Sequence, residues 1–114
     1  MTQHAGLSLD RWRRFDRGQQ VLMIANEMLR ASRRMAHEDA EARSLAYERV
    51  LNLTDLTIAA TDHRSFRREL WRWRDVVAEL YLEPAPQPER HAQALRTVLR
   101  LEVSAATQVA LLTA

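Results

Sequence analysis

Arginines are concentrated in two short windows of this chain, and arginine is the side chain best suited to hold phosphate groups. Residues 64–74 contain five arginines with Trp71 among them, and residues 10–17 contain four. A guanidinium group keeps its charge at any accessible pH and matches the geometry of phosphate oxygens. Trp71 can stack on an unpaired base or pack in a subunit interface. The predicted nucleic-acid-binding residues are Arg64, Arg67, Arg68, Arg72, Arg74, Arg11, Arg13, Arg14 and Arg17.

The order of charges along residues 64–83 is opposite to the order that a helix dipole favours. Arginines fill the first half, and Asp75, Glu79 and Glu83 lie in the second, whereas acids are favoured at the positive amino end of a helix. The reversed order costs roughly a few tenths of a kcal/mol per arginine, so we expect an anionic partner to hold these side chains. The two windows contain nine arginines against three carboxylates, an excess of six in a chain of net charge +2. A basic helix face that only meets solvent is the alternative.

The chain lacks the residues that most enzyme reactions need. The chain has no cysteine, and all 17 basic residues are arginine, which excludes disulfides, cysteine-ligated zinc, a Schiff-base lysine and a phosphate-binding P-loop. None of the four histidines follows a glutamate by three residues, as a di-iron bundle requires, and we expect all four on the surface. The sequence therefore predicts no catalytic residue, no metal site and no cofactor.

One spacing is typical of an enzyme. Arg30 precedes His37 by seven residues, which resembles the arginine–six-residue–histidine motif of the small helical ribonucleases called HEPN domains. That resemblance would imply that both side chains act on a phosphodiester across a dimer cleft. The residue after the arginine is usually polar in that family and is Ala31 here. Such a spacing is expected by coincidence in a chain with 17 arginines.

The elements that position these residues are predicted to be helices, because glycine and proline are rare and two-residue alternation of apolar residues is absent. In residues 65–82, Phe66, Leu70, Trp73, Val77 and Leu80 recur at spacings of four and three and form one apolar stripe. We predict a single all-α domain over residues 1–114, an up-down-up-down antiparallel four-helix bundle. The predicted helices are about 9–34, 38–61, 65–82 and 88–112. A turn at 35–37 separates the first two, and one continuous helix is the alternative.

The predicted core draws on every helix. It consists of Leu22, Leu29, Val50, Leu53, Leu70, Trp73, Val77, Val98, Leu101 and Val109. The second helix is apolar on more than one side, which indicates either a central helix or contact with a second molecule, and we expect self-association from it. The first 14 residues show no apolar core of a secretory signal, and no apolar run is long enough to span a membrane. We therefore expect a cytoplasmic protein with no membrane partner.

The helix patterns as a whole resemble a family of small bacterial four-helix bundles. These patterns are YERVLNLTDLTIAA, RRELWRWRDVVAELYL and RHAQALRTVLRLEVSAATQV. The family includes the ribosomal-RNA intervening-sequence proteins and the accessory variability determinant (Avd) proteins of diversity-generating retroelements. The resemblance implies a non-enzymatic ring-shaped homo-oligomer, typically a pentamer, with a basic surface. For Avd it implies a reverse transcriptase and its template RNA as partners. A helical protein-interaction adaptor, whose arginines meet an acidic protein, is the alternative function.

Overall fold

The computed structural model describes residues 8–102, and every regular element within them is helical. The five α-helices are α1 (Leu9–Trp12), α2 (Arg17–Ser32), α3 (Ala40–Ala60), α4 (Arg64–Leu82) and α5 (Pro88–Arg100), with a 3-10 turn at His37–Asp39. The all-α fold class is confirmed for this part of the chain. None of the helices within residues 8–102 is long and apolar enough to cross a membrane. The last 12 residues of the predicted fourth helix, 88–112, lie beyond Arg100, and most of them lie outside the described residues.

The predicted helix 9–34 is interrupted at residues 13–16. Asp16 caps α2: its Oδ1 accepts from the backbone N–H of Gln19 at 2.8 Å, and its own N–H donates to Gln19 Oε1 at 2.9 Å. Such a capping box satisfies two free backbone donors and starts a new helix. On the other side of the break, Trp12 is fully buried and its Nε1 donates to Thr57 Oγ1 at 3.0 Å. The four-residue α1 is thereby anchored on α3.

A buried arginine holds the break between α2 and α3. Arg43 is 4% exposed, and its guanidinium donates to the carbonyl oxygens of Arg34 at 3.0 Å and Ala36 at 3.3 Å. It also donates to Pro84 O at 3.0 Å, in the link between α4 and α5. Carbonyls at the end of a helix lack partners within the helix, and the guanidinium fork supplies them. The predicted turn at 35–37 lies in this break, and the alternative of one continuous helix was wrong.

α3 is the central helix. It packs against α1, α2 and α4, and α5 packs against α2 and α4. Its buried apolar residues are Ala46, Tyr47, Val50, Leu53 and Ile58. On α3 itself, Leu45 is the one large apolar side chain that is exposed. The apolar residues on several sides of this helix follow from its central position, so they no longer require a second molecule.

The predicted core is right for α3, α4 and part of α5. Six of its residues are buried, namely Val50, Leu53, Leu70, Trp73, Val77 and Val98. The prediction was wrong for Leu22, Leu29 and Leu101, which are only half-buried. α2 instead buries Val21, Ile24, Ala25 and Met28, because these positions form the i, i+3, i+4, i+7 stripe and Leu22 and Leu29 lie beside it. Val109 lies outside the described residues.

Contacts between helix ends show which ends lie side by side. The guanidinium of Arg17 lies 5.1 Å from the ring centre of Phe66, so the start of α2 is beside the start of α4. His91 Nε2 lies 2.9 Å from Met28 O, so the start of α5 is beside the end of α2. The two arginine windows singled out in the sequence therefore approach each other at one end of the molecule.

Candidate nucleic-acid interface

α4 turns its arginine-rich side to solvent. The helix begins after His63, whose Nδ1 accepts from the backbone N–H of Phe66 at 3.2 Å. All five members of its apolar stripe are buried, so the opposite side of the helix is exposed. The exposed residues in its first half include Arg64, Arg68, Trp71 and Arg72.

These exposed residues line a shallow depression of about 530 Å³. Its lining residues are Arg64, Arg67, Arg68, Trp71, Arg72 and Asp75. Within residues 8–102, Arg64 and Arg68 make no ion pair, and the Trp71 residue is 51% exposed. The depression therefore combines unpaired guanidinium groups with an accessible indole, which are the two groups that hold the backbone and the bases of a single strand.

Two of the predicted arginines on α4 have structural partners instead. Arg67 donates to the carbonyl oxygens of Ile58 at 3.3 Å and of Thr61, and so closes the end of α3. Arg74 binds the carboxylate of Asp55 on α3 through two nitrogens, Nε and Nη2. The hydrogen bond to Asp55 raises the pKa of Arg74 above its ordinary value. Both side chains hold α4 on α3, although Arg67 also borders the depression.

Arg72, which also lines the depression, has a weaker partner. Arg72 Nη1 lies 3.2 Å from Glu69 Oε1, and both side chains are largely exposed. Such surface pairs contribute roughly 0–1 kcal/mol. A phosphate group can therefore replace the carboxylate at little cost, and Arg72 stays available to a ligand.

The four predicted arginines before α4 do not line the depression. Arg17 pairs with Glu102 at 3.2 Å and lies over Phe66, so it joins α2 to α4 and to the end of α5. Arg13 lies 4.0 Å from Asp10. Arg11 and Arg14 are exposed. The structure brings this window to the same end as α4, but fewer arginines line the depression than the nine that were predicted.

Folding also lowers the local charge. The two windows alone predicted an excess of six positive charges. Asp55 and Glu102 come from other elements to pair with Arg74 and Arg17, and Asp75 borders the depression. Counting these three carboxylates halves the excess, from six to three. The basic character of this end is therefore concentrated around Arg64 and Arg68.

A second arginine-lined depression, of about 330 Å³, lies between α2 and α3, and the sequence reasoning missed it. Its lining residues are Arg30, Arg33, Arg34, Ala42, Leu45, Ala46 and Arg49. Glu27 pairs with Arg49 at 2.8 Å and with Arg30 at 3.4 Å. The close spacing of Arg30, Arg33 and Arg34 was visible, but the arrival of Arg49 from α3 was not. His37 of the ribonuclease motif is exposed in the 3-10 turn and does not line this depression with Arg30.

His91 is buried in a polar cluster, so the prediction that all four histidines lie on the surface was wrong for this one. Its Nδ1 lies 2.8 Å from Tyr47 Oη, and its Nε2 lies 2.9 Å from both Met28 O and Ser32 Oγ. A carbonyl oxygen can only accept, so Nε2 carries the proton and Nδ1 accepts from the tyrosine hydroxyl. Burial lowers the pKa of His91, and it raises the pKa of Tyr47 to about 12. Tyr47 and His91 are buried, and their hydrogen bonds stabilise the fold.

Within residues 8–102, no three histidine or acidic side chains are grouped in a way that could hold a metal ion. No protein-family model, curated protein or solved structure matches the chain. The α4 depression is thus the feature of the described residues that most directly indicates a ligand class.

Proposed function

We propose that the protein is a non-enzymatic accessory protein that binds single-stranded nucleic acid, RNA or DNA, through the first half of α4. The observation that carries this proposal is the grouping of Arg64 and Arg68, exposed and without ion pairs within residues 8–102, beside the exposed Trp71. Because the net charge of the chain is only +2, binding depends on this local group and not on the charge of the whole molecule.

The spacing of the arginines suits a phosphate backbone. Arg64, Arg68 and Arg72 follow one another at four-residue steps on the exposed side of α4, and each step advances about 6 Å along the helix. A row of three cations can therefore follow a chain of phosphates, while the indole of Trp71 stacks on a base. Stacking on tryptophan requires an unpaired base, which favours a single strand over a duplex.

The proposal includes the arrangement of the helices and their assembly. The contacts of α2 with the start of α5 and the start of α4 support an up-down-up-down bundle of α2 to α5. Exposed apolar residues on α4, Trp71 and Leu82 among them, support a homo-oligomer. A cytoplasmic location is proposed because the sequence has no apolar run long enough to span a membrane. The pentameric ring and the reverse-transcriptase partner are proposed from the family resemblance of the helix patterns.

The test is a salt titration of nucleic-acid binding with the triple variant R64Q/R68Q/R72Q. Each phosphate contact releases counterions, so the logarithm of affinity falls linearly with the logarithm of salt concentration. We expect the variant to bind a fluorescent single-stranded RNA more weakly, with a slope reduced by about two to three units. Fluorescence anisotropy measures both quantities, and circular dichroism checks that the helices are retained.

The matched control is R30Q/R33Q/R34Q, which removes the same charge from the other depression. It should keep the affinity and the slope of the natural chain. Equal losses in both variants would indicate general attraction to a basic protein, and an unchanged R64Q/R68Q/R72Q would overturn the proposal.

A further inference from the structure

The exposed side of α4 carries a charge pattern that changes sign halfway along the helix. We call this row the outer stripe; its members are Arg64, Arg68, Trp71, Asp75, Glu79 and Leu82. All six are exposed, and they repeat at spacings of three and four, as residues on one side of a helix do. The first half of the stripe is basic, the second half is acidic, and an aromatic ring lies near the middle.

Neighbouring side chains leave both halves charged. In the first half, Glu69 partners Arg72 and leaves Arg64 and Arg68 unpaired within the described residues. In the second half, Arg90 of α5 is shared between Glu79 at 3.2 Å and Glu83 at 3.1 Å. Asp75 makes no ion pair with any residue in 8–102, and the Glu79 side chain is still 67% exposed. Each half therefore keeps charge that a partner of the opposite sign can neutralise.

The spacing of these charges is symmetric about a point between Trp71 and Arg72. If two copies of α4 lie antiparallel about that point, Arg64 of one copy meets Glu79 of the other, and Arg68 meets Asp75. Each of these pairs has residue numbers that add to the same sum, as does the pair of Trp71 with Arg72. The central pair places a guanidinium beside an indole, a favourable cation–π contact. An isologous two-fold contact requires this kind of self-complementary patch.

From this register we infer that the outer stripe of α4 docks a second copy of the same chain in antiparallel orientation. The pairing also explains the reversed charge order of α4, because each arginine-rich amino end then faces the acidic carboxyl half of the other copy. Leu82, 78% exposed, extends the contact at each end. One helix face per copy is small for a stable interface, so the pair is weak and is dissociated by salt.

A consequence follows that rests on the proposed function. Arg64 and Arg68 cannot contact a phosphate and the carboxylates of a second copy at the same time. Nucleic acid and the second copy therefore compete for the outer stripe, and binding of RNA dissociates the pair. The acidic half of the stripe acts in this scheme as a built-in competitor of the phosphate backbone.

The test uses two charge-reversed variants of the full chain, D75R/E79R and R64E/R68E, in sedimentation velocity at low salt. We expect the mass of the natural chain to double between low and high concentration, whether the unit that pairs is one 13.3 kDa chain or the proposed ring. Each variant alone should keep the mass that it has at low concentration, because like charges then meet across the two-fold axis. An equimolar mixture of the two should regain the pair, because every opposed position is again oppositely charged.

The control E38R/E41R makes the same change of charge as D75R/E79R, on exposed positions of the 3-10 turn and α3, and it should still pair. A natural chain whose mass does not double, variants that associate as the natural chain does, or a mixture that fails to pair would each overturn the inference. RNA binding is measured separately. D75R/E79R should bind RNA at least as tightly as the natural chain. A natural chain that pairs but does not bind RNA would contradict the proposed function and leave the inference of pairing intact.

Discussion

Two depressions lined by arginines, one on α4 and one between α2 and α3, use the same side chain in different ways. Between α2 and α3, Glu27 is 8% exposed and holds Arg49 and Arg30, and Arg34 lies 3.7 Å from Asp39. On α4, Glu69 pairs with Arg72, and Arg64 and Arg68 make no ion pair with any carboxylate among the described residues. The number of arginines in a region therefore says little about a ligand, and the position of the carboxylates around them decides which guanidinium groups are available.

The largest difference between structural and surface arginines should appear in stability. Arg43→Ala removes the donor that the carbonyl oxygens of Arg34, Ala36 and Pro84 share. We expect a loss of about 3 kcal/mol in the free energy of unfolding, since a hydrogen bond from a charged group contributes roughly 1.5–3 kcal/mol and these three are partly exposed. Arg64→Ala should change it by less than about 0.5 kcal/mol. Urea denaturation followed by circular dichroism measures both, and similar losses would contradict the distinction.

Replacing the acids that pair with the two groups of arginines should also change the free energy of unfolding by different amounts. Glu27→Gln removes the charge that holds Arg49 and Arg30, and we expect a loss of about 2 kcal/mol in unfolding free energy from these charge-assisted hydrogen bonds. Glu69→Gln, beside Arg72 on α4, should cost less than about 0.5 kcal/mol because that pair is exposed. Thermal unfolding of the two variants side by side would show whether Glu27 binds its arginines as the distances indicate.

The smallest expected effect is a pH dependence centred on His91. Its pKa is lowered by burial, so the folded chain binds fewer protons than the unfolded chain as the pH falls below the ordinary histidine value of about 6.5. The stabilisation is complete above that pH and is lost below it, by at most about 1.4 kcal/mol per pH unit down to the folded-state pKa. Protonation at Nδ1 also removes the acceptor for Tyr47 Oη.

Urea unfolding of the natural chain at pH 7.5 and pH 5.5 measures this difference. His91→Gln should be less stable at both values and should lose most of the pH dependence. His37→Gln, at an exposed histidine, should keep it. A pH dependence that survives in His91→Gln would assign the titration to another group.

The sequence predicted local features better than the pairing of distant ones. On α4, the stripe from Phe66 to Leu80 is a strong periodic signal, and all of its residues are buried. On α2, several neighbouring apolar residues allow more than one phase, and the predicted core took Leu22 and Leu29 from beside the buried stripe. The signal of the capping box at Asp16 and Gln19 was present, but the apolar pattern continued across it and concealed the break.

Other features depend on which elements meet, and no local pattern contains that information. The pairing of Arg74 with Asp55 spans 19 residues, and Arg43 reaches Pro84 across 41. His91 is buried because α2 and α3 supply Met28 O and Tyr47 Oη. The nucleic-acid site on α4 stays a prediction, while the structural partners of Arg67, Arg74 and Arg17 became visible only in the folded chain.

The three tryptophans differ in a way that gives the protein an internal spectroscopic reporter. Trp12 and Trp73 are buried, whereas Trp71 is half exposed on α4. We therefore expect the emission of the folded protein to contain a blue component from two shielded indoles and a redder, quenchable component from the third. A ligand on α4 should alter the red component and unfolding should shift the blue one, so a single spectrum would separate occupancy of the surface from loss of the fold.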